Sequence, residues 1–98
     1  MGDGPPPSVR IHPHAAERAA ERGATEQEIA ATVRTGEPSP AKHGRTCFRR
    51  TFPGPWPRRG RDYPAKQLLV YAAETPDGWL AVTVIVKFLG RASDEADL

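Results

Sequence analysis

Residues 79–88 read Trp-Leu-Ala-Val-Thr-Val-Ile-Val-Lys-Phe, and this stretch decides the fold. Its β-branched residues and its two-residue alternation are typical of a β-strand that buries one face. The Asp77-Gly78 pair before it is a strong hairpin-turn signal, so residues 66–73 are predicted to pair with it as a second, antiparallel strand. Residues 79–88 form the third predicted strand, and its predicted buried face consists of Leu80, Val82, Val84, Val86 and Phe88.

Three other stretches bear on the predicted sheet. Residues 46–52 alternate, with Phe48 and Phe52 on one face, and form the first main strand. Residues 9–11 are a candidate short initial strand. Four prolines and two glycines interrupt residues 53–64, so this segment is predicted to be a loop.

Two helices precede these strands. Pro13 suits the first position of a helix, and the Ala- and Glu-rich segment after it should run to Arg22 and end at Gly23. A capping box at residues 25–28, Thr-Glu-Gln-Glu, should open the second helix.

Ile29 and Val33 lie four residues apart on the second helix and should face the core, and Gly36 should end the helix. Helices grouped at one end of the chain and strands at the other predict an α+β fold. The predicted architecture is an N-terminal αα-hairpin packed on a curved antiparallel sheet of three to four strands.

The chain has 98 residues, which predicts one domain, here residues 9–89. The Pro- and Gly-rich residues 1–8 and the polar residues 90–98 offer little to bury and are predicted to be disordered tails. No stretch reaches the ~20 apolar residues of a membrane helix, and residues 1–10 have no apolar signal-peptide segment. The expectation is a cytoplasmic protein with no membrane partner. Its single cysteine, Cys47, excludes an internal disulfide.

The positive charge is concentrated in one segment. The net charge is only +2, yet residues 42–66 contain eight Lys or Arg residues and one acidic residue. This pattern favours a phosphate-rich partner or an acidic protein surface, and the alternative is a solvated loop without a partner. Because Arg outnumbers Lys eleven to three, Lys42, Lys66 and Lys87 are candidates for positions that Arg cannot fill, with chance as the alternative.

The strand alternation also predicts a polar sheet face. The face turned away from the helices should carry Arg49, Gln67, Tyr71, Thr83 and Lys87. Cations, an aromatic ring and hydroxyl groups on one sheet face suit a nucleic-acid platform. The alternative is the ordinary solvated side of a sheet that buries one face.

The first helix carries a second polar group of residues. His14, Arg18 and Arg22 recur every four residues and form one stripe. The helix dipole disfavours a positive charge in the first turn, so His14 should be neutral near pH 7, as a general base requires. The alternative is a structural histidine with surface arginines paired to Glu17 and Glu21.

The histidines and the cysteine show no metal-ligand spacing, so neither a metal nor a cofactor is predicted. The helix motif is His14-Ala15-x-x-Arg18-x-x-x-Arg22-Gly23, and two later motifs are Pro40-Ala41-Lys42-x-Gly44-Arg45 and Tyr63-x-x-Lys66-Gln67. With the strand at 79–88, their order and spacing over residues 11–88 resemble a widespread family of small prokaryotic proteins without an assigned function. That family is thought to be related to the RelE-like and barnase–EndoU–colicin-like ribonuclease toxins. The resemblance implies RNA cleavage without a metal on a sheet surface, and an antitoxin-like protein partner.

Metal-independent RNA cleavage needs a base for the ribose 2′-OH, cations for the phosphate and an acid for the leaving 5′-oxygen. His14 is predicted to be the base or the acid. Arg18, Arg49 and Lys66 are predicted to hold the phosphate. Thr83 or Tyr63 is predicted to orient it, and Lys87 or His43 is predicted to be the second proton carrier. The predicted RNA-binding residues are Lys42, Arg45, Arg50, Arg58, Arg59, Arg61, Tyr63 and Gln67. Two alternatives stay open: a non-catalytic module that binds RNA or a protein through residues 42–66, and an interaction domain whose basic segment only aids solubility.

Overall fold

The computed structural model describes residues 8–90, so the predicted tails lie outside the described residues except for Ser8 and Gly90. Two helices and five strands make up this range. In chain order they are β1 (Ser8–Ile11), α1 (Pro13–Arg22), α2 (Glu26–Thr35), β2 (Glu37–Pro40), β3 (Thr46–Arg58), β4 (Arg61–Thr75) and β5 (Gly78–Leu89), with a short 3-10 turn at Lys42–Gly44 between β2 and β3.

The five strands form one mixed sheet in the order β1-β5-β4-β3-β2. β1 runs parallel to β5, and all other neighbours are antiparallel. The predicted α+β class with two helices on a sheet is confirmed. The finer prediction, an N-terminal αα-hairpin on three to four antiparallel strands, is not fully matched: β1 precedes the helices and runs parallel to β5, and β2 adds a fifth strand. Pro38 and Pro40 are tolerated in β2 because an edge strand can lack N–H donors on its open side.

Both helices begin and end where the sequence predicts. The Nδ1 of His12 accepts a hydrogen bond from the His14 N–H at 3.1 Å, and Gly23 ends α1 with a φ of 96°. In the capping box, the Glu28 N–H donates to Thr25 Oγ1 at 3.1 Å, and the Thr25 N–H donates to Glu28 Oε1 at 2.9 Å. Neither described helix is long and apolar enough to cross a membrane.

The core lies where the helices meet one face of the sheet. Phe48 also meets Trp79 edge-on, with ring centroids 4.9 Å apart. The small side chains of α1 allow the helix to approach β5 closely, and the larger ones of α2 pack over β4 and β3. The cluster includes Ala15, Ala19, Ile29 and Val33 from the helices and Phe48, Leu68, Val70 and Val84 from the sheet.

A bulge in β5 changes which of its residues face the core. Tyr71 pairs with Thr83, but the next residue of β4, Ala72, pairs with Ala81, so Val82 has no partner in the register. One extra residue reverses the alternation. Val84 is buried as predicted, but Leu80 and Val82 lie outside the core cluster. Fully buried Ala81 takes the inward position beyond the bulge.

The predicted loop at residues 53–64 is instead the end of a long β3–β4 hairpin. β3 continues to Arg58, β4 begins at Arg61, and Arg59 and Gly60 form the turn with φ values of 53° and 76°. β2 pairs with β3 only at residues 46–49, so the prolines of β3 lie where the strand has a free side. Proline is tolerated beside a free side because an N–H group that points there would not pair with another strand.

Candidate functional site

The polar stripe of α1 lines a cavity against β5. His14, Arg18 and Arg22 are all exposed and share this cavity, of about 380 Å³, with Thr83 of β5. Ala15 and Ala19 are buried beneath the helix, and their small size brings the stripe close to the strand. The structure thus places two of the predicted catalytic residues of α1 beside Thr83.

Arg22 holds this side of the helix on the strand. Its Nη1 donates to the Val84 carbonyl at 3.2 Å. β1 pairs only with residues 78–81 of β5, so this carbonyl lies on the part of the edge that β1 does not cover. The hydrogen bond satisfies a backbone acceptor that would otherwise need water.

A second cavity, of about 680 Å³, lies on the sheet face turned away from the helices. A row of polar side chains runs across it, because Ser39 pairs with Cys47, Cys47 with Tyr71, and Tyr71 with Thr83. Apolar side chains from β4 and β5 also line the cavity, and its basic side chains come from the segment around the 3-10 turn. The apolar set is Leu69, Val82 and Ile85, and the basic set is Lys42, His43 and Arg45.

The 3-10 turn is held in an uncommon backbone conformation. His43 has φ 61° and ψ 32°, and Gly44 follows with a φ of 70°. A left-handed conformation is disfavoured by about 1–2 kcal/mol for a residue with a Cβ. Two backbone hydrogen bonds close the turn, from the Ala41 N–H to the Arg45 carbonyl at 2.9 Å and from the Arg45 N–H to the Lys42 carbonyl at 3.2 Å. The closed turn therefore fixes the backbone positions of Lys42 and Arg45, from which their side chains extend.

Two polar groups in this cavity have unusual surroundings. The Nε of Arg45 is buried and has no hydrogen-bond partner, a situation that costs about 1–3 kcal/mol for a buried donor. The charge that Cys47 can carry raises the pKa of Tyr71 above its ordinary value, and a side-chain hydrogen bond with Cys47 and burial raise it further. Tyr71 therefore keeps its phenolic proton at neutral pH.

The two cavities adjoin along β5. Val82 and Thr83 line both of them, so the bulge forms the boundary between the stripe of α1 and the outer sheet face. We call the combined surface the β5 groove. It brings together His14, Arg18 and Thr83 with Lys42 and Arg45.

The predicted polar sheet face exists. Arg49, Gln67, Tyr71, Thr83 and Lys87 occupy the same face, since Gln67 pairs with Lys87 and Tyr71 with Thr83. Arg49 and Gln67 line a separate cavity, of about 640 Å³. There Arg49 forms an ion pair with Glu37, and the Gln67 Nε2 donates to Thr51 Oγ1 at 3.1 Å. Neither Arg49, Gln67 nor Lys87 lines the β5 groove.

Other predicted RNA-binding residues lie along the β3–β4 hairpin, and none of them lines the β5 groove. Arg50 donates to Thr35 Oγ1 at 2.8 Å, and its guanidinium lies over the Phe52 ring. Arg58 donates to the Glu21 carbonyl at 3.1 Å at the end of α1, so it joins the hairpin to the helix. Arg61 lies over the ring of Tyr63, 5.0 Å from its centroid, and Arg59 is exposed in the turn.

Lys66 occupies the interior rather than the polar face. It is only 2% exposed, and its Nζ donates to the Gly23 carbonyl at 2.9 Å and to Glu28 Oε1 at 2.8 Å. The Trp56 ring covers the ammonium group, with the nitrogen 3.9 Å from the ring centroid. The structure therefore gives Lys66 a packing role, and its predicted phosphate contact does not fit this position.

Sequence reasoning did not single out the apolar floor of the outer cavity, Leu69, Val82 and Ile85. One signal was present, because Leu69 and Ile85 fall on the predicted outer face, where a solvated sheet would carry polar residues. Val82 carried no such signal, since its exclusion from the core depends on the bulge. Among residues 8–90, no three His, Cys, Asp or Glu side chains are grouped so that they could hold a metal ion.

Comparison of the chain with protein-family models, with curated proteins and with solved structures finds no match.

Proposed function

We propose that this protein is a metal-independent endoribonuclease that cleaves RNA in the β5 groove. One observation carries the proposal: His14 and Arg18 line the same cavity as Thr83, beside the cavity that contains Lys42, His43 and Arg45. A proton carrier and several cations therefore surround one strand, as cleavage of a phosphodiester requires.

The chemistry follows from these side chains. His14 takes the proton of a ribose 2′-OH as the general base, and the 2′-oxygen attacks the adjacent phosphorus. Arg18 stabilises the added negative charge on the phosphate oxygens, and Thr83 orients the phosphate through its hydroxyl group. The bond from phosphorus to the 5′-oxygen breaks, a proton from His43 completes the leaving hydroxyl group, and a 2′,3′-cyclic phosphate remains.

This proposal keeps part of the predicted catalytic set. His14, Arg18 and Thr83 line the groove, and His43 is preferred over Lys87 as the second proton carrier because it lines the adjoining cavity. The resemblance to small prokaryotic proteins that are thought to be related to ribonuclease toxins supports the same activity. An antitoxin-like protein partner belongs to the proposal through that resemblance, and the cytoplasmic location expected from the sequence belongs to it as well.

His14→Ala should lower the rate of RNA cleavage by about 10²–10⁴-fold, because this is the usual contribution of a proton-transfer group. Cleavage of a fluorescent single-stranded RNA in the presence of a chelator measures the effect. Glu17→Ala is the matched control, since Glu17 is exposed on the same helix and does not line the cavity. A lower melting temperature with unchanged activity per folded molecule would instead make His14 a structural residue.

The second candidate function is RNA binding without cleavage. The cations of the groove would serve it equally, because phosphate contacts do not need a proton carrier. Wild-type protein that binds single-stranded RNA but leaves it intact with and without chelator would favour this function over the ribonuclease.

A further inference from the structure

We propose that the outer cavity of the β5 groove is a nucleotide-binding subsite, whose apolar floor takes a base and whose cationic rim takes the adjacent phosphate. The inference rests on the proposed function, because it names the part of the RNA that this cavity would hold. It concerns the cavity lined by Lys42, His43, Arg45, Tyr71 and Ile85, away from the stripe of α1.

The floor has the character of a base-stacking surface. Leu69 and Ile85 are neighbours on the outer sheet face, since they pair across β4 and β5, and Val82 lies beside them at the bulge. Ile85 is 37% exposed and is the one exposed large hydrophobic residue among those the structure describes. A planar base laid on this floor would remove apolar surface from water on both partners.

The rim supplies the opposite chemistry. Lys42 and Arg45 bring two positive charges to the edge of the cavity. A phosphate oxygen is a strong acceptor for a guanidinium group. The closed turn around His43 holds these cations at the edge of the apolar floor. The cavity therefore offers one surface for the base and another for the phosphate of the same nucleotide.

Direct hydrogen bonds can also come from the row of hydroxyl groups. Tyr71 keeps its proton and can donate, and Thr83 can donate or accept. Thr83 lines the cavity of His14 as well, so an RNA chain whose base and phosphate are held in the outer cavity can continue along β5 toward His14. The cleaved bond would then lie next to the bound nucleotide in the RNA chain.

Calorimetric binding of adenosine 3′-monophosphate tests the subsite, with adenosine and ribose 5-phosphate as probes of the two halves. The nucleotide should bind about tenfold or more tightly than either half, because both the floor and the rim contribute. A single-stranded trinucleotide should bind more tightly still if the cavity serves an RNA chain rather than a free nucleotide.

Arg45→Gln and Ile85→Ala separate the two surfaces. Arg45→Gln should weaken the nucleotide about tenfold and adenosine little, because it removes a charged donor. Ile85→Ala should weaken adenosine and the nucleotide but not ribose 5-phosphate. Arg10→Gln is the matched charge control, since exposed Arg10 lines neither cavity. Thermal unfolding of each variant establishes that it is folded.

Three outcomes would overturn the subsite: equal binding of ribose 5-phosphate and the nucleotide, nucleotide binding that neither variant changes, or stronger binding of an acidic peptide. The proposed function fails separately. If the nucleotide binds as expected but RNA is never cleaved, the subsite stands and the ribonuclease does not. If RNA is cleaved and both variants leave the KM unchanged, the ribonuclease stands and the subsite does not.

Discussion

Lys66 is the residue on which the two helices and the hairpin meet. Its ammonium group contacts the carbonyl that ends α1 and the carboxylate that caps α2, and the ring of Trp56 covers it from the hairpin. Glu28 Oε1 accepts from both Lys66 and the Thr25 N–H, so the cap of α2 and the ion pair share one oxygen. A planar guanidinium would not fit the same compact position.

Lys66→Met should lower the free energy of unfolding by about 3 kcal/mol, the lower end for breaking a buried pair, because Glu28 is partly exposed and can regain water. Urea unfolding measures the loss. Lys87→Met is the control for removing a lysine from the sheet and should change stability by no more than about 0.5 kcal/mol, because Lys87 is exposed. Equal effects of the two substitutions would contradict the role given to Lys66.

At this scale the sequence predicted residue types better than their partners. The scarcity of lysine singled out Lys66, but its place in a basic segment favoured a phosphate contact. The ion pair joins residues 38 positions apart, and no local pattern announces such a contact. Thr25 and Glu28, three residues apart, were predictable because a capping box is local.

At the scale of elements, the bulge in β5 decides both the core and the groove. Without the bulge, strict alternation would place the Val82 side chain on the core face beside Val84. Thr83 would then have different neighbours on the outer face. With it, Val82 and Thr83 face the two cavities, while Ala81 and Val84 are both buried. One inserted residue thus exposes part of an otherwise apolar strand.

Val84→Asp should unfold the protein, because an unpaired carboxylate in the core costs several kcal/mol against a total stability of roughly 5–15 kcal/mol. Val82→Asp should leave it folded, since Val82 has no partner in the register and lines the cavities. Circular dichroism and thermal unfolding of the two variants compare identical substitutions two residues apart. A folded Val84→Asp protein, or equal destabilisation by both, would place the bulge elsewhere.

Helices were more predictable than strands. Pro13, Gly23 and the capping box fixed the bounds of α1 and α2 through interactions within a few residues. The end of the hairpin was not predictable, because prolines usually exclude a strand and their tolerance depends on β2 stopping early. The bulge was hidden for a similar reason: Val82 has the same residue type as the core valines around it.

At the scale of the molecule, the basic segment does not form one surface. Lys42 and Arg45 line the β5 groove, Arg58 joins the hairpin to α1, and Lys66 is buried. The amount of positive charge was therefore predictable from the sequence. The prediction that this charge forms one continuous surface was not accurate, because the fold separates its side chains. The shared polar face was predictable from strand alternation, whereas its junction with the stripe of α1 required the three-dimensional arrangement.

Replacing Lys42 and Arg45 together by Gln should weaken RNA binding and flatten its dependence on salt. Each phosphate contact with a single strand contributes a slope of about −0.7 in log K against log salt, so losing two should change the slope by about 1.4. Replacing Arg59 and Arg61 by Gln removes the same charge from the hairpin and should change the slope less. Equal slopes for the two double variants would show that RNA contacts the basic segment as a whole.

The prolines of β2 also limit what the sheet can join. A strand from another chain extends a sheet by exchanging backbone hydrogen bonds with an edge, and Pro38 and Pro40 remove two of the donors from a strand of only four residues. Growth of the sheet at this side is blocked by covalent structure rather than by charge, so it stays blocked at any pH or salt concentration. At high concentration this chain is therefore protected from strand-to-strand aggregation along β2.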